Sequence, residues 1–331
     1  MRHLAANALT VLIVLGVVLA AVIGWGVQGW RGAGPHDAPV EVTIPRGASI
    51  ERASAVLEEA GVIRDARLFR IGARYEKLDR RIQAGEFAVP AGLSAQGVLQ
   101  CLVDQSTCAR VTHPITVAEG LTSWQVVELL RASDVLSGEI DAVPPEGSLA
   151  PDTWRVTRGD DRAALIRRMQ AMQTRILAEA WEGRAEGLPL QSPEEALILA
   201  SIIEKETALE AERRLVAGVF VNRLRRGMRL QTDPTVIYGV TEGRGVLGRG
   251  LRRSELDTLT PWNTYRIDGL PPTPIANPGR ASIEAAVNPE ATRMIYFVAD
   301  GEGGHAFAET LAEHQRNVAR WRRIEAERAN Q

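Results

Sequence analysis

The sequence is poor in the residue types that most often hold metal ions. It has two cysteines and five histidines among 331 residues, and the CxxxxxxC spacing of Cys101 and Cys108 suits a metal badly. We therefore predict no metal site. A disulfide between the two cysteines, or two thiols packed as small hydrophobic groups, remain as alternatives.

An excess of charge of one sign is also lacking, since the chain has 39 basic and 41 acidic residues and a net charge of -2. That balance gives no electrostatic reason to expect a nucleic-acid partner.

One long apolar run is present near the start of the chain. Residues 8–27 include only one polar side chain, Thr10. At 1.5 Å per residue, a helix of this length spans roughly 30 Å, the thickness of one hydrocarbon core. Trp25 and Trp30 stand at its far end, where tryptophans are common at membrane interfaces. The run predicts a transmembrane helix.

A cleaved signal peptide is the alternative interpretation of this run. Signal peptides have apolar cores of about 7–15 residues that end in a polar stretch with a small-x-small cleavage site. Here Val18-Leu19-Ala20 lies inside the apolar run. An uncleaved single-pass anchor is therefore favoured. Arg2 and His3 place the N-terminus in the cytoplasm and everything after Arg31 outside.

Composition divides the chain into four segments. Residues 1–31 form the cytoplasmic N-terminus and anchor, and residues 32–39 (GAGPHDAP) have the composition of a linker. Residues 40–112 predict a strand, two helices, a strand and a third helix, which is typical of a small α+β module. Residues 113–331 predict a larger domain, mixed α/β in its later part. The fold class predicted for the whole chain is α+β.

A helix is predicted to begin at Ser192-Pro193-Glu194-Glu195 and to end at Glu206. Serine is a good N-cap, proline suits the first turn, and a glutamate at the third position completes a capping box. A second capping box, Thr207-Ala208-Leu209-Glu210, indicates that another helix follows directly.

The helical period separates the two glutamates near the end of this helix. At 100° per residue, Leu199, Ile202 and Ile203 lie within about 60° of Glu206. Glu204 lies about 160° away from Glu206, on the opposite face. We therefore expect Glu206 on the apolar side, and Glu204 in water together with its neighbour Lys205.

A carboxyl group on an apolar face is a candidate general acid. Apolar surroundings disfavour the charged form and raise the pKa of a carboxyl group, and a raised pKa keeps a proton available near neutral pH. The alternative is structural: Glu206 pairs with Arg213 or Arg214, or caps a backbone group.

Several longer segments resemble the endolytic murein transglycosylases, the YceG-like family. They are LASIIEKETALEAERRLVAGVFVNRLRRGMRLQTDPTVIYG (residues 199–239), LPPTPIANPG (270–279), YFVADGEGGHAF (296–307) and PDTW (151–154). The resemblance covers essentially the whole chain and is strongest over residues 188–307. It implies a LysM-like fold for residues 40–112 and a YceG-like catalytic domain over residues 113–331, with its core at residues 188–310.

The resemblance also implies an activity. The second glutamate of the EKET motif, Glu206 here, is expected to be the catalytic acid and base of a lytic endotransglycosylase. Such a lyase cleaves the bond between N-acetylmuramic acid and N-acetylglucosamine in nascent glycan strands and leaves 1,6-anhydro ends. It needs no cofactor. The implied partners are peptidoglycan strands, the bacterial inner membrane and peptidoglycan synthases of the elongation machinery, and the catalytic domain is expected in the periplasm.

Seven further residues are candidates to line the substrate cleft. Tyr238 is a candidate to stack on a sugar, and Asp233 is either a sugar contact or the N-cap of a short helix that ends at Gly239. His305 follows a predicted hairpin turn, DGEGG. The full set is Asn222, Gln231, Thr232, Asp233, Tyr238, Asn263 and His305.

One motif and two other functions are weighed against this interpretation. Residues 243–248 match GxGxxG, but without a surrounding βαβ unit they predict a loop. A wall-binding scaffold with a structural Glu206 is one rival function. The other is a hydrolase in which Asp233 is the second carboxylate.

Overall fold

The structure is a computed structural model that describes residues 2–329, with the side chains of residues 9–328. Outside this described part lie Met1, residues 330–331 and the side chains of Arg2 and His3. The predicted terminal segments include these residues, and the predicted membrane orientation depends on Arg2 and His3. The chain forms two compact units. Unit 1 comprises Met1–Pro114 with Arg155–Asp160, and unit 2 comprises Ile115–Trp154 with Asp161–Gln331.

The first helix, α1 (Arg2–Arg31), contains the predicted apolar run. Its segment Leu9–Arg31 is long and apolar enough to cross a membrane. Apolar side chains along it, such as Leu12 and Val17, are more than half exposed. Exposure of so much apolar surface is unfavourable in water and favourable in lipid. The predicted helix is confirmed, and it is consistent with single-pass anchoring.

Unit 1 is built on a three-stranded antiparallel sheet in the order β1-β2-β3. Its elements after α1 are β1 (Val40–Ile44), α2 (Ile50–Glu59), α3 (Ala66–Tyr75), β2 (Gly85–Val89), α4 (Ala95–Asp104) and β3 (Ala109–Arg110). Each helix begins after a side chain that accepts a hydrogen bond from the backbone three residues on, namely Ser49, Asp65 and Ser94. Phe69 and Phe87 are fully buried in the core between helices and sheet.

Residues 32–39, predicted as a linker, are packed against the rest of unit 1. The Gly34 N–H donates to the Gly92 carbonyl (3.0 Å), and the Gly92 N–H donates to the His36 carbonyl (2.8 Å). His36 is 8% exposed, and its Nε2 lies 2.8 Å from the Pro90 carbonyl oxygen. These bonds tie the segment to the loop after β2, so the segment is not a free tether.

Cys101 and Cys108 form a disulfide, which joins α4 to the segment that leads into β3. Of the two alternatives that the sequence left open, the structure therefore has the covalent one. Disulfides form and persist in oxidising compartments such as the bacterial periplasm.

Unit 2 is mainly helical. The strands β4 (His113–Val117) and β5 (Asp152–Val156) pair with each other, and the boundary between the units passes through both. The remaining elements are α5 (Ser123–Ala132), α6 (Arg162–Glu182), α7 (Pro193–Glu206), α8 (Glu210–Arg225), α9 (Asp233–Thr241), α10 (Arg253–Asp257), α11 (Arg280–Val287), β6 (Tyr296–Ala299), β7 (His305–Ala308) and α12 (Leu311–Ala329).

The helix α7 lies at the centre of this unit and packs against α6, α8, α9 and α11. Leu199, Ile202 and Ile203 are all fully buried, which confirms the predicted apolar face. On α8, Gly218 allows close packing, because a Cβ there would lie 2.5 Å from the Glu290 carbonyl oxygen. The core thus fixes the end of α7, where Glu206 stands.

Candidate active site

The position of the Glu206 carboxyl group follows from where α7 ends. Thr207 leaves the helical conformation (φ -139°, ψ 130°), although its N–H still donates to the Ile203 carbonyl (3.2 Å). The Thr207 hydroxyl accepts from the Leu209 N–H (3.1 Å) and holds the turn into α8. The second helix therefore begins at Glu210 without the predicted second capping box. Glu206 emerges at the edge of the core, partly exposed.

Thr232 is a hydrogen-bond partner of the Glu206 carboxyl group, since its hydroxyl donates to Oε1. Thr232 is also the N-cap residue of α9, a position where a threonine hydroxyl usually accepts from the helix backbone. Here the hydroxyl is directed to Glu206 instead. The Thr232 N–H donates to Thr264 Oγ1 (3.1 Å), which fixes the residue from the other side.

The backbone before Thr232 has an unusual conformation. Gln231 is left-handed (φ 52°), which is uncommon for a residue with a Cβ atom and persists where the surroundings enforce it. Its N–H donates to the Thr264 carbonyl (3.2 Å). This turn lets Gln231, Thr232 and Asp233 all line the same cleft as Glu206.

The pKa of Glu206 is raised, chiefly because its carboxyl group is buried. The hydrogen bond from Thr232 opposes this, because it stabilises the carboxylate. The negative charge of Asp233 raises the pKa further, and positive charge on His305 and Arg223 lowers it. The raising influences prevail, so Glu206 keeps its proton at a pH where an exposed glutamate has lost it. Because Oε1 accepts from Thr232, we expect the proton of the neutral form on Oε2.

Asp233 places a second carboxyl group in the same cleft as Glu206. It is the first residue of α9 rather than the predicted N-cap. Its Oδ1 accepts a 2.6 Å hydrogen bond from the Tyr265 hydroxyl. Burial, and then this hydrogen bond, raise the pKa of Tyr265, so the phenol stays protonated and remains a donor.

Arg223, on α8, ties three segments of the site together. It is 7% exposed, and its Nε donates to the Ile295 carbonyl (2.7 Å) while its Nη1 donates to the Leu230 carbonyl (2.6 Å). Its guanidinium carbon lies 5.3 Å from the centre of the Tyr296 ring. Arg223 thus links α8 to the turn before Thr232 and to the start of β6.

The hairpin of β6 and β7 borders the cleft and presents His305, which pairs with Ala299 across the two strands. Glu212 of α8 accepts from the His305 backbone N–H (3.0 Å), and its Oε2 lies 2.7 Å from His305 Nδ1. The Phe297 ring meets the imidazole edge-on, with centroids 5.2 Å apart. The orientation of His305 is therefore fixed on two sides, and the predicted hairpin before it is confirmed.

His314 contributes a second imidazole to the cleft. It lies on α12 and stacks on the Tyr296 ring, with centroids 5.0 Å apart and planes 17° apart. Burial lowers the pKa of His314, so this ring is neutral near pH 7.

These side chains surround an open cleft of about 460 Å³. Polar groups and aromatic rings are mixed in its wall, a composition suited to a polar ligand with flat faces. The lining residues are Glu206, Arg223, Leu230, Gln231, Thr232, Asp233, Tyr265, Tyr296, Phe297, Val298, Ala299, His305, Leu311, His314 and Val318. Four of the predicted binding residues, Gln231, Thr232, Asp233 and His305, are therefore brought together with Glu206.

Three other predicted residues lie outside this cleft and have structural partners. Asn222 donates to the carbonyls of Thr292 and Met294 (2.8 and 3.0 Å). Asn263 is fully buried and donates to backbone carbonyls in and after α10. Tyr238 donates to Glu146 (3.2 Å). It lines a separate pocket together with the loop that carries the GxGxxG match.

Glu204 was predicted to face water, and this prediction is wrong. Its carboxylate accepts a 2.9 Å hydrogen bond from the Gly279 N–H, at the N-terminus of α11. A negative charge is favourable there, because the N-terminal backbone N–H groups of a helix are unpaired. Lys205 is exposed, as predicted, and its Nζ donates to the Gly120 carbonyl (3.2 Å).

Sequence reasoning missed Arg223, Thr264 and Tyr296. Arg223 belongs to the run RLRR, in which nothing separates a buried arginine from its exposed neighbours. Thr264 follows Asn263 in a loop whose hydrogen bonds to Gln231 and Thr232 are not local in sequence. Tyr296 was noticed only as part of a longer matching segment.

A mixed α/β fold with one proton-holding carboxyl group in an open cleft has the features of an enzyme that works by acid–base chemistry. The sequence assigns the family. The model of the YceG-like family matches residues 42–320, and the chain belongs to this family.

Two relatives and one solved structure are similar to most of this chain. An endolytic murein transglycosylase of Bacillus subtilis is 30% identical over 309 residues, which are 84% of this chain and 83% of that protein. An endolytic murein transglycosylase of Streptococcus pneumoniae is 28% identical over 85% of this chain, which spans 58% of that longer protein. A crystal structure of a YceG-like protein from Listeria monocytogenes covers 85% of this chain and 99% of its own, with a TM-score of 0.51 and 29% identity.

Proposed function

We propose that this protein is a membrane-anchored lytic endotransglycosylase that cleaves nascent peptidoglycan, with Glu206 as general acid and then general base. The observation that carries the proposal is the raised pKa of a single carboxyl group at the wall of an open cleft. The names of the relatives support the substrate class.

The reaction needs one group that both gives and takes a proton. Neutral Glu206 donates its proton to the glycosidic oxygen as the bond from that oxygen to C1 of N-acetylmuramic acid breaks. The 2-acetamido group of the substrate meets the positive charge that develops at C1. The Glu206 carboxylate then takes the proton from the C6 hydroxyl, whose oxygen bonds to C1. No water enters, and the acid is regenerated in its neutral form.

The hydrogen bond from Thr232 suits both halves of this cycle. It stabilises the carboxylate that forms after the first proton transfer. It also holds Oε1, so the proton leaves from and returns to the same oxygen, Oε2. Burial opposes the charged form and restores the proton.

The products of digestion test the proposal directly. We expect purified glycan strands to yield internal fragments with 1,6-anhydro-muramic ends, identified by mass spectrometry as 18 Da lighter than hydrolysed ends because water is absent from the new bond. Reducing ends would indicate a hydrolase. Intact strands would indicate a scaffold.

One observation favours the rival function as a hydrolase: Asp233, the candidate second carboxylate, lines the same cleft as Glu206. In the proposed reaction Asp233 only raises the pKa of Glu206. Asp233→Asn keeps an oxygen that accepts from Tyr265 and removes the charge, so the pKa of Glu206 falls. The neutral form is then lost at a lower pH, and we expect the alkaline limb of the kcat/KM profile to move to lower pH with activity retained below it.

The control for this variant is Asp268→Asn, since Asp268 is an exposed acid that pairs with Arg229 (2.9 Å) outside the cleft. It should leave the pH profile unchanged. A loss of about 10²–10⁴-fold at every pH in Asp233→Asn would instead identify Asp233 as a second catalytic carboxylate.

Anchoring by α1 completes the proposal, with the N-terminus in the cytoplasm and all of the chain after Arg31 in the periplasm. The apolar, exposed segment Leu9–Arg31 supports it, and the Cys101–Cys108 disulfide suits an oxidising compartment. We expect full-length protein in the inner membrane, released only by detergent. A shortened soluble species as the main form would point to a cleaved signal.

Synthases of the elongation machinery are the proposed partners, and co-purification with them from detergent extracts tests this.

For residues 40–112 we propose a LysM-like role in wall affinity. The order of strands and helices around a small antiparallel sheet supports it. Sedimentation of the isolated segment with insoluble peptidoglycan measures this affinity, and failure to sediment would reduce the segment to a spacer.

A further inference from the structure

The helix α3 exposes a face that is both basic and apolar. Ile71 is 65% exposed and Tyr75 is 88% exposed, on the same side as Arg67 and Arg74, which are also exposed. Side chains three and four residues apart share one face of a helix. We call Arg67, Arg70, Ile71, Arg74 and Tyr75 the outer face of α3.

The side of α3 that holds the end of α1 includes Leu68 and Gly72 and adjoins the outer face next to Tyr75. A Cβ on Gly29 would lie 2.6 Å from the Leu68 side chain, and one on Gly72 would lie 2.5 Å from the Trp30 ring. The Trp30 and Phe69 rings are 6.0 Å apart. The two helices therefore pack closely, through glycines on both sides of the contact.

This contact sets the height of α3 relative to a bilayer that α1 crosses. The apolar run ends at Val27, so Gly29 and Trp30 stand about 3–5 Å beyond it at 1.5 Å per residue. The headgroup layer on each side of a hydrocarbon core is about 5–7 Å thick. The helix that packs against Gly29 and Trp30 therefore lies at headgroup level.

The charge near α3 matches an anionic headgroup layer. Between Arg64 and Lys77 there are five basic residues and two acidic ones. Asp65 caps α3, and Glu76 accepts from the Trp30 indole (3.2 Å). Arg74 forms an exposed ion pair with Glu51 (2.9 Å), so the exposed Arg67 and the half-buried Arg70 are the main cations of the outer face.

We propose that the outer face of α3 docks on the outer leaflet of the inner membrane, with Tyr75 and Ile71 in the interface and Arg67 and Arg70 at the phosphates of anionic lipids. Aromatic and apolar side chains on an amphipathic helix enter the boundary between headgroups and acyl chains, while its basic residues attract anionic lipid. Unit 1 is then held at two places, by α1 within the bilayer and by α3 on its surface. This inference rests on the proposed anchoring of α1.

The test places one environment-sensitive fluorophore at a time on the full-length protein in lipid nanodiscs. The labelled variants are Tyr75→Cys, Thr43→Cys and Val18→Cys. Thr43 is exposed on the face of β1 away from the core, so it is the matched control, and Val18 reports insertion of α1. Quenching by lipids that carry a nitroxide near the headgroup is measured with phosphatidylcholine alone and with added phosphatidylglycerol.

We expect severalfold stronger quenching at position 75 than at position 43, increased by phosphatidylglycerol. The increase should be lost in Arg67→Gln with Arg70→Gln. It should also be lost at 1 M salt, where screening is effective beyond about 3 Å. Equal quenching at positions 75 and 43, with position 18 quenched by acyl-chain nitroxides, overturns this inference and leaves the anchor intact. Absence of quenching at position 18 overturns the anchoring itself. Quenching at position 75 that ignores phosphatidylglycerol overturns the anionic recognition.

Discussion

Glu206→Gln is expected to slow strand cleavage by about 10²–10⁴-fold, the usual contribution of a general acid and base. Glutamine keeps the shape of the side chain and an oxygen that accepts from Thr232, but it has no titrating proton. The free energy of unfolding should change little, because the hydrogen bond from Thr232 is kept. Initial rates of anhydro-end formation and thermal melting curves measure the two effects.

Glu204→Gln is the matched control for this variant, because Glu204 lies two residues earlier on α7 and on the opposite face of the helix. Its amide oxygen still accepts from the Gly279 N–H, so the start of α11 stays capped. We expect most of the cleavage activity to remain. If Glu204→Gln were inactive and Glu206→Gln active, the assignment of the acid would be wrong.

Arg223→Met is expected to destabilise unit 2 by about 3 kcal/mol. Methionine fills the space of the aliphatic stem but leaves the Ile295 and Leu230 carbonyls without their present donor, and an unsatisfied buried group costs about 1–3 kcal/mol. Cleavage should also fall, because Leu230 and Tyr296 flank the cleft. Urea unfolding and the rate of cleavage at a temperature where the variant is folded measure the two.

Arg225→Met is the comparison for Arg223→Met. Arg225 is exposed on the same helix and donates only to the Gly187 carbonyl (2.9 Å) among its described bonds. Its loss should change the free energy of unfolding by about 0.5 kcal/mol or less. Equal destabilisation by the two variants would mean that Arg223 does not hold the cleft together.

The part of the site that was predictable depends on helix periodicity. Leu199, Ile202 and Ile203 mark the buried side of α7, and that pattern alone separates Glu206 from Glu204. The helix limits were also predictable, because Ser192 caps the start locally. Glu204 was mispredicted because the N-terminus of α11 reaches it from 75 residues further along the chain.

The rest of the site depends on contacts that are distant in sequence. From the local sequence, the Thr232 hydroxyl would be expected to cap α9. It donates to Glu206 instead, because the hydrogen bonds from Gln231 and Thr232 to Thr264 orient this turn. Asn222 and Asn263 illustrate the converse. Both polar side chains were candidates to contact a ligand, but both donate hydrogen bonds to backbone carbonyls of loops instead.

The packing of residues 32–39 against the loop after β2 limits how far the globular part of unit 1 can move from the end of α1. An eight-residue segment, if fully extended at 3.3–3.6 Å per residue, would give roughly 26–29 Å of slack. The bonds of Gly34 and His36 to the loop after β2 remove this slack. If α1 is inserted in a membrane as proposed, the rest of unit 1 therefore stays at a fixed height above the lipid and moves mainly by lateral diffusion. If residues 40–112 bind glycan strands as proposed, growth that carries a strand outward would withdraw it from them, and the rate of that growth would limit the time for which a new strand is bound.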